Sequence, residues 1–253
     1  MTAPLLSIKD LGVHFGGLAA LSGVDLTLNS GEVVGLIGPN GAGKTTLFNA
    51  ISGLVDCQGT LELDGEKHNW PKPDQLVNLG ISRTLQGVGL FPDMTVLENV
   101  MVGATKFSKG GLISAALGLD GRREKALREL AMSALAKVSC TSIADRKVDS
   151  LPYPITKRVA IARALVSDPK ILLLDEPAGG LGAEDIAWMN GFIKAISGRC
   201  AILIVEHHMD VVMSVCDRIY VLNFGKVIAS GKPESVRNNS EVIAAYLGSA
   251  AIK

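Results

Sequence analysis

The stretch Gly38-Pro39-Asn40-Gly41-Ala42-Gly43-Lys44-Thr45-Thr46 has the residue types and spacing to grip a polyphosphate, and it meets the pattern G-x-x-x-x-G-K-[ST] at every fixed position. Glycines let backbone N–H groups curl around an anion without interference from Cβ, and a helix N-terminus behind them adds partial positive charge. Lys44 would reach the β- and γ-phosphates, and the Thr45 hydroxyl would ligate Mg²⁺. The plainer alternative is a glycine-rich turn that happens to precede a lysine. The flanks disfavour it: Glu32-Val33-Val34-Gly35-Leu36-Ile37 has the composition of a buried strand, and Leu47, Ala50 and Ile51 share one helical face.

Two further segments place polar groups at the carboxyl end of an apolar run, where ligands bind in open α/β sheets. Ile171-Leu172-Leu173-Leu174-Asp175-Glu176-Pro177 ends in two acids. Asp175 would hold Mg²⁺ directly or through water, and Glu176 would orient and polarise an attacking water. Solvated acids capping a strand are the alternative, weakened by the phosphate loop upstream. Ala201-Ile202-Leu203-Ile204-Val205 runs into Glu206-His207-His208. An imidazole there could donate to a γ-phosphate oxygen, and His207 is the candidate. The adjacent histidines also raise metal binding, but neighbours in an extended segment point opposite ways, so His208 is left without a role.

The remaining elements must position these groups. Leu5 to Phe15, Val24-Asp25-Leu26-Thr27-Leu28 and Gly59-Thr60-Leu61-Glu62-Leu63-Asp64-Gly65 alternate in polarity, as half-exposed antiparallel strands do. Phe15, ahead of the phosphate loop, could stack on a purine or belong to the core, and spacing alone favours the core. Between Pro71 and Pro92 the pattern loosens into loops around a short helical piece and a strand at Gly80-Ile81-Ser82. Residues Val96 to Ala104 and Arg122 to Val138 are helical, the second with Leu127, Leu130, Ala131, Ala134 and Leu135 at helical spacing. Lys109-Gly110-Gly111 and Gly118-Leu119-Asp120-Gly121 mark loops between them. Val159 to Val166 is a further helix, with Pro154 where a first helical residue is favoured and Asp168-Pro169 at its end. Arg218 to Ala229 reads as a hairpin, followed by a terminal helix around Glu241 to Tyr246.

The chain of 253 residues is long enough to bury a substantial core. Its 25 Lys+Arg equal its 25 Asp+Glu, so no overall field favours nucleic acid or an anionic membrane surface. Cys57, Cys140, Cys200 and Cys216 lack metal-ligand spacing and read as reduced packing residues. No apolar run approaches the roughly 18 residues of a membrane span, and MTAPLLSIKD carries no secretion signal. The expectation is a soluble, cytosolic chain.

In this order of motifs the chain resembles the ATP-binding subunits of ABC transporters over essentially its whole length. It is most similar to those of branched-chain amino acid importers, through Phe15-Gly16-Gly17-Leu18, Arg83-Thr84-Leu85-Gln86, Leu90 to Val100, Val205-Glu206-His207 and Ala245-Tyr246-Leu247-Gly248. The resemblance implies an α/β phosphate-loop NTPase core with a mainly parallel sheet, an N-terminal antiparallel β subdomain and a helical subdomain insert. It implies core residues 1–86 and 159–253, with residues 87–158 as the insert. ATP and Mg²⁺ are the implied cofactors. Phe15 becomes the adenine-stacking aromatic, and Gln86 the loop residue linking Mg²⁺ and water to the insert. The implied partners are transmembrane permease subunits docking a coupling helix beside the insert, a second ATP-binding subunit and, indirectly, a substrate-binding protein. Nucleic acid is not among them. The chain would sit peripherally on the cytoplasmic face of the membrane.

Two segments depart from that family. Its signature, L-S-G-G-Q or in this branch L-P-Y-G-Q, is here Leu151-Pro152-Tyr153-Pro154-Ile155. In the family this segment crosses to the partner and binds the γ-phosphate held there. Pro154 has no N–H to offer, and Ile155 has no polar side chain, which leaves the helix N-terminus after Pro154. Gly182 in Gly180-Leu181-Gly182-Ala183 stands where the family has Asp or Asn. Both changes affect the site offered to a partner, not the one built on Lys44, and they point to a heterodimer. A regulatory or DNA-associated ABC-type ATPase is the alternative, but no second phosphate loop or sustained heptads appear. A GTPase is disfavoured because no N-K-x-D-like guanine reader is present.

Overall fold

A computed structural model describes residues 3–85, 87–104 and 120–250, which fall into two compact units, Met1–Leu76 with Leu173–Lys253 and Val77–Leu172. The first unit opens with β1 (Leu6–Phe15), turned by Gly16-Gly17 into β2 (Leu18–Leu28). Ser7 and Thr27, then Leu6 and Leu28, stand opposite each other, and register shifts beyond Ile8 let the pair twist. Next come β3 (Val33–Ile37), buried at every position, and α1 (Lys44–Ile51), which buries Leu47, Phe48, Ala50 and Ile51. The strands β4 (Gln58–Leu63) and β5 (Glu66–His68) complete an antiparallel sheet of order β2-β1-β4-β5. β2 begins at Leu18, earlier than the alternation at Val24 suggests. Its first residues are exposed, so ladder bonds to β1 and not burial define them.

The second unit starts with a 3₁₀ segment, Pro73–Leu79 from its Val77 onward, and β6 (Ile81–Arg83). Lys170 and Ile171 N–H groups both donate to the Gly80 carbonyl, at 2.8 and 3.0 Å. Helix α2 (Val96–Val102) begins with a reciprocal capping box between Thr95 and Glu98. Buried Asn99 then ties the loop before it, accepting from Phe91 N–H at 2.8 Å and donating to Phe91 O at 3.0 Å. Arg163 performs the same service one turn of loop earlier, donating to Val88 O at 3.0 Å and Gly89 O at 2.6 Å. Burial lowers its pKa from the ordinary guanidinium value.

Helix α3 (Asp120–Lys137) buries Ala131, Ala134 and Leu135, but Leu130 is exposed. Apolar spacing puts Leu130 on the buried face; in the structure Leu127 is only partly covered and full burial begins at Ala131. Gly121 lies in this helix and not in the expected loop, while the Lys109-Gly110-Gly111 loop falls outside the described residues. Helix α4 (Tyr153–Leu165) starts one residue before Pro154, with Pro152 at the cap. Tyr153, Pro154 and Ile155 therefore form its first turn, and Ile155 and Thr156 N–H groups both reach the Pro152 carbonyl, at 2.9 and 3.1 Å.

The chain returns to the first unit along β7 (Ile171–Asp175), whose Leu173–Asp175 belong there. Then follow α5 (Ala183–Ser197), β8 (Ala201–Val205), α6 (Met209–Val215), β9 (Arg218–Asn223), β10 (Lys226–Gly231), α7 (Pro233–Arg237) and α8 (Ser240–Ala250). The central sheet of this unit has the order β10-β9-β3-β8-β7, with β3 parallel to both β8 and β9. Arg218 closes the sheet end opposite the phosphate loop. It pairs with Glu32 through Nε at 2.8 Å and Nη2 at 3.0 Å, and donates to Thr27 O at 2.8 Å and Tyr220 Oη at 2.9 Å. Cys140, Cys200 and Cys216 are buried and Cys57 partly so; all are free thiols. Burial pushes Cys216 up to about 12.

Candidate nucleotide-binding site

The phosphate loop joins the end of β3 to the start of α1, clamped from two sides. A Cβ on Gly38, at φ 152°, would overlap the Leu222 carbonyl of β9. A Cβ on Gly43, at φ 106°, would stand 2.7 Å from Leu21 Cδ2 and 3.0 Å from Ala20 O on β2. No side chain fits either place, and the left-handed backbone would be strained with one. Gly225 N–H donates to Ala42 O at 3.0 Å and Ser22 N–H to Gly225 O at 2.9 Å, which holds the loop between β2 and the β9–β10 turn.

Lys44 curls back over this loop, its Nζ donating to Gly38 O at 2.7 Å and Pro39 O at 2.9 Å. Burial lowers its pKa from the ordinary lysine value, and the Glu176 carboxylate partly offsets that. The first turn of α1 holds no acidic residue, so the positive end of the helix is not neutralised from within. Thr45 is exposed there and Thr46 half-buried; Asn40 and Gly41 are exposed, whereas Gly38, Pro39 and Ala42 are buried. Burial raises the Tyr246 phenol pKa, and a hydrogen bond to the Gly38 backbone, which works the other way, links α8 to the loop.

At the end of β7, Asp175 is buried and Glu176 is partly exposed. Glu176 takes φ 47°, a left-handed conformation costly for a residue with a Cβ. It is held there by its N–H donating to Val205 O at 2.9 Å, and by Gly179 N–H donating to its carbonyl at 3.2 Å. His207 Nδ1 lies 3.7 Å from Glu176 Oε1, with its ring about half exposed. Lys44, Glu176 and His207 thus share one end of the parallel strands. Gln86 lies outside the described residues.

Two expectations change. Phe15 is 51% exposed at the β1–β2 turn, which overturns the core reading that spacing favoured: the two-glycine turn ends the strand pair before it reaches packing neighbours. The two histidines do not diverge. Their ring centroids are 4.2 Å apart and tilted by 38°, because β8 ends at Val205 and the chain is already turning into α6, with His208 as its cap. Sequence reasoning left Glu206 without a role, yet it is fully buried and bonded to this turn. An acid directly after a buried strand, as at Asp175, was the available signal. Phe224, to which the sequence assigns no role, is 84% exposed at φ 44° in the β9–β10 turn.

Residues 21–179 match the family model described as ABC transporter. The chain belongs to the ABC transporter family of ATP-binding proteins. Residues 226–252 match a second model, that of branched-chain amino acid ATP-binding cassette transporters. The chain is 41% identical to the high-affinity branched-chain amino acid transport ATP-binding protein LivG of Escherichia coli K12, across 99% of this chain and all of that protein. It is 38% identical to BraF of Pseudomonas aeruginosa, with the same coverage. Among solved structures, MJ1267 in its ADP conformation, an ATP-binding cassette of an ABC transporter, superposes with a TM-score of 0.84 at 30% identity, covering 98% of this chain and 100% of that one. The chain therefore has the ABC ATPase fold and is an ATP-hydrolysing cassette of that family. Among the described residues, no helix is long and apolar enough to cross a membrane.

Proposed function

We propose that this chain is the ATP-hydrolysing subunit of an ABC importer for branched-chain amino acids or related small molecules. The full-length likeness to LivG is the observation that carries the reading, and the terminal match at residues 226–252 supports it. Lys44 and the N–H groups at the start of α1 bind the phosphates, and Phe15, exposed at the β1–β2 turn, stacks on the adenine. Glu176 orients and polarises the attacking water, and His207 donates to the γ-phosphate. Thr45 and Asp175 present oxygen donors of the hard type that Mg²⁺ prefers, and Gln86 is the third residue assigned to it. The ion would neutralise charge on the β- and γ-phosphates. The regulatory or DNA-associated alternative has no such support, since the relatives reported above are transport proteins.

The chain acts with membrane permease subunits on the cytoplasmic face, fed indirectly by a substrate-binding protein, and pairs with a second ATP-binding subunit. The first turn of α4 supports a heterodimer: with Pro154 and Ile155 in it, a homodimer would carry two weakened sites. Purifying the tagged chain from its native membrane tests this reading. Two permeases and a second cassette with an intact signature should accompany it; the chain emerging alone or with DNA-binding partners would contradict it.

A further inference from the structure

Glu206 follows the buried residues of β8, and its side chain is 0% exposed. A carboxylate removed from water is expensive unless its lone pairs are met. Here they are. Oε1 accepts from Ala178 N–H at 2.7 Å, and Oε2 accepts from His207 N–H at 2.9 Å and His208 N–H at 3.1 Å. Oε2 also lies 3.1 Å from His208 Nδ1. Hydrogen bonds to an ionised acceptor are short and strong. These link two chain segments: three donors come from the turn carrying His207, and one comes two residues after Glu176.

The same carboxylate sets the His208 ring, which packs at 4.2 Å between centroids against the His207 ring. His207 Nδ1 in turn lies 3.7 Å from Glu176 Oε1. We propose that Glu206 is a positioning residue for ATP hydrolysis: a buried carboxylate that fixes the His207 turn to the segment after Glu176, with the His208 ring as its support for His207. This rests on the reading that Glu176 and His207 act on the water and the γ-phosphate. The ligand-type atoms of Glu206, His207 and His208 lie within 4.8 Å of one another, yet a metal would have to displace these hydrogen bonds from Glu206.

The test is steady-state hydrolysis by the full chain with the partner subunits that give its full rate, alongside binding of a fluorescent ATP analogue. In Glu206→Gln the amide must aim its NH₂ at one of the two groups of N–H donors. Slight misplacement of reacting groups costs about ten- to a hundredfold in rate, so kcat should fall by that much while KM and analogue affinity stay within about twofold. His208→Ala, at a half-exposed position, should lower kcat about three- to tenfold at unchanged KM, and carries the test if Glu206→Gln does not fold. Unchanged kcat in the folded Glu206→Gln protein, or in His208→Ala if only that folds, while His207→Ala is inactive, overturns the inference and leaves the site reading intact. Loss of affinity together with kcat in Glu206→Gln also overturns it, since that marks a purely structural role. Full activity in His207→Ala would instead sink the underlying site reading.

Discussion

Restoring the donor that Pro154 removes should wake the isolated chain. Pro154 sits within the first turn of α4, and the neighbouring Ile155 and Thr156 N–H groups already point back at the Pro152 carbonyl. With no N–H at Pro154 and the Ile155 N–H turned back onto Pro152, that end of the helix offers fewer than the usual four outward donors. A missing preorganised donor at a transition state costs roughly 3 kcal/mol, at least a hundredfold in rate. A homodimer of this chain would bear that loss at both sites, a heterodimer at one. The double substitution Pro154→Gly with Ile155→Gln returns an N–H and a side-chain amide. Glycine inside a helix costs up to about 1 kcal/mol. For a chain of this size that lowers Tm by about 2–4 °C, leaving the protein folded. The assay is ATP hydrolysis by the chain alone over a range of protein concentrations, so that dimerisation is visible. Wild type should be slow and the double variant about a hundredfold faster at similar nucleotide affinity. If wild type alone is already fast and the variant no faster, the missing donor is unimportant and nothing calls for a heterodimer.

Two other outcomes follow from individual residues. Burial holds the Lys44 pKa below 10.5, so its charge is intact below that lowered value and lost as pH rises through it. ATP-analogue affinity should weaken on the alkaline side before pH 10.5, whereas Lys44→Arg should show no such fall; identical pH profiles would remove Lys44 titration as the cause. Arg218→Met removes the cationic partner of the largely buried Glu32 carboxylate and leaves it only the Asn29 N–H and Nδ2 donors, at 2.8 and 2.9 Å, which should cost about 3 kcal/mol. That corresponds to a Tm lower by about 6–12 °C, and a shift within about 1 °C would show the network to be dispensable.

The sequence was most legible where burial and function coincide. β8 spans Ala201–Val205, the apolar run legible in composition, while β7 ends at Asp175, inside the acidic pair that closes its run, and both Asp175 and Glu206 stay buried. α5 carries only a faint signal in the sequence, although Met189, Phe192 and Ile193 form its buried face. It opens directly from a glycine-rich run and carries Gly191 inside, both of which resemble loop. Phe15 illustrates the opposite limit: alternation places it in a strand, but whether a strand end meets neighbours depends on the turn beyond it. The pairing of His207 with His208 and the role of Glu206 depend on a turn of three residues, which periodicity cannot resolve.

We propose that one end of the parallel strands assembles an ATP-hydrolysing centre from Lys44, Glu176 and His207. Comparing Glu176→Gln with Lys44→Ala tests it most directly, by measuring ATP affinity and turnover on the same preparations. Glu176→Gln should bind ATP as wild type does and lose turnover, because only the carboxylate proposed to orient the water has changed. Lys44→Ala should lose tight binding, because the cation at the phosphates is gone. Near-normal turnover in Glu176→Gln would remove Glu176 from that role.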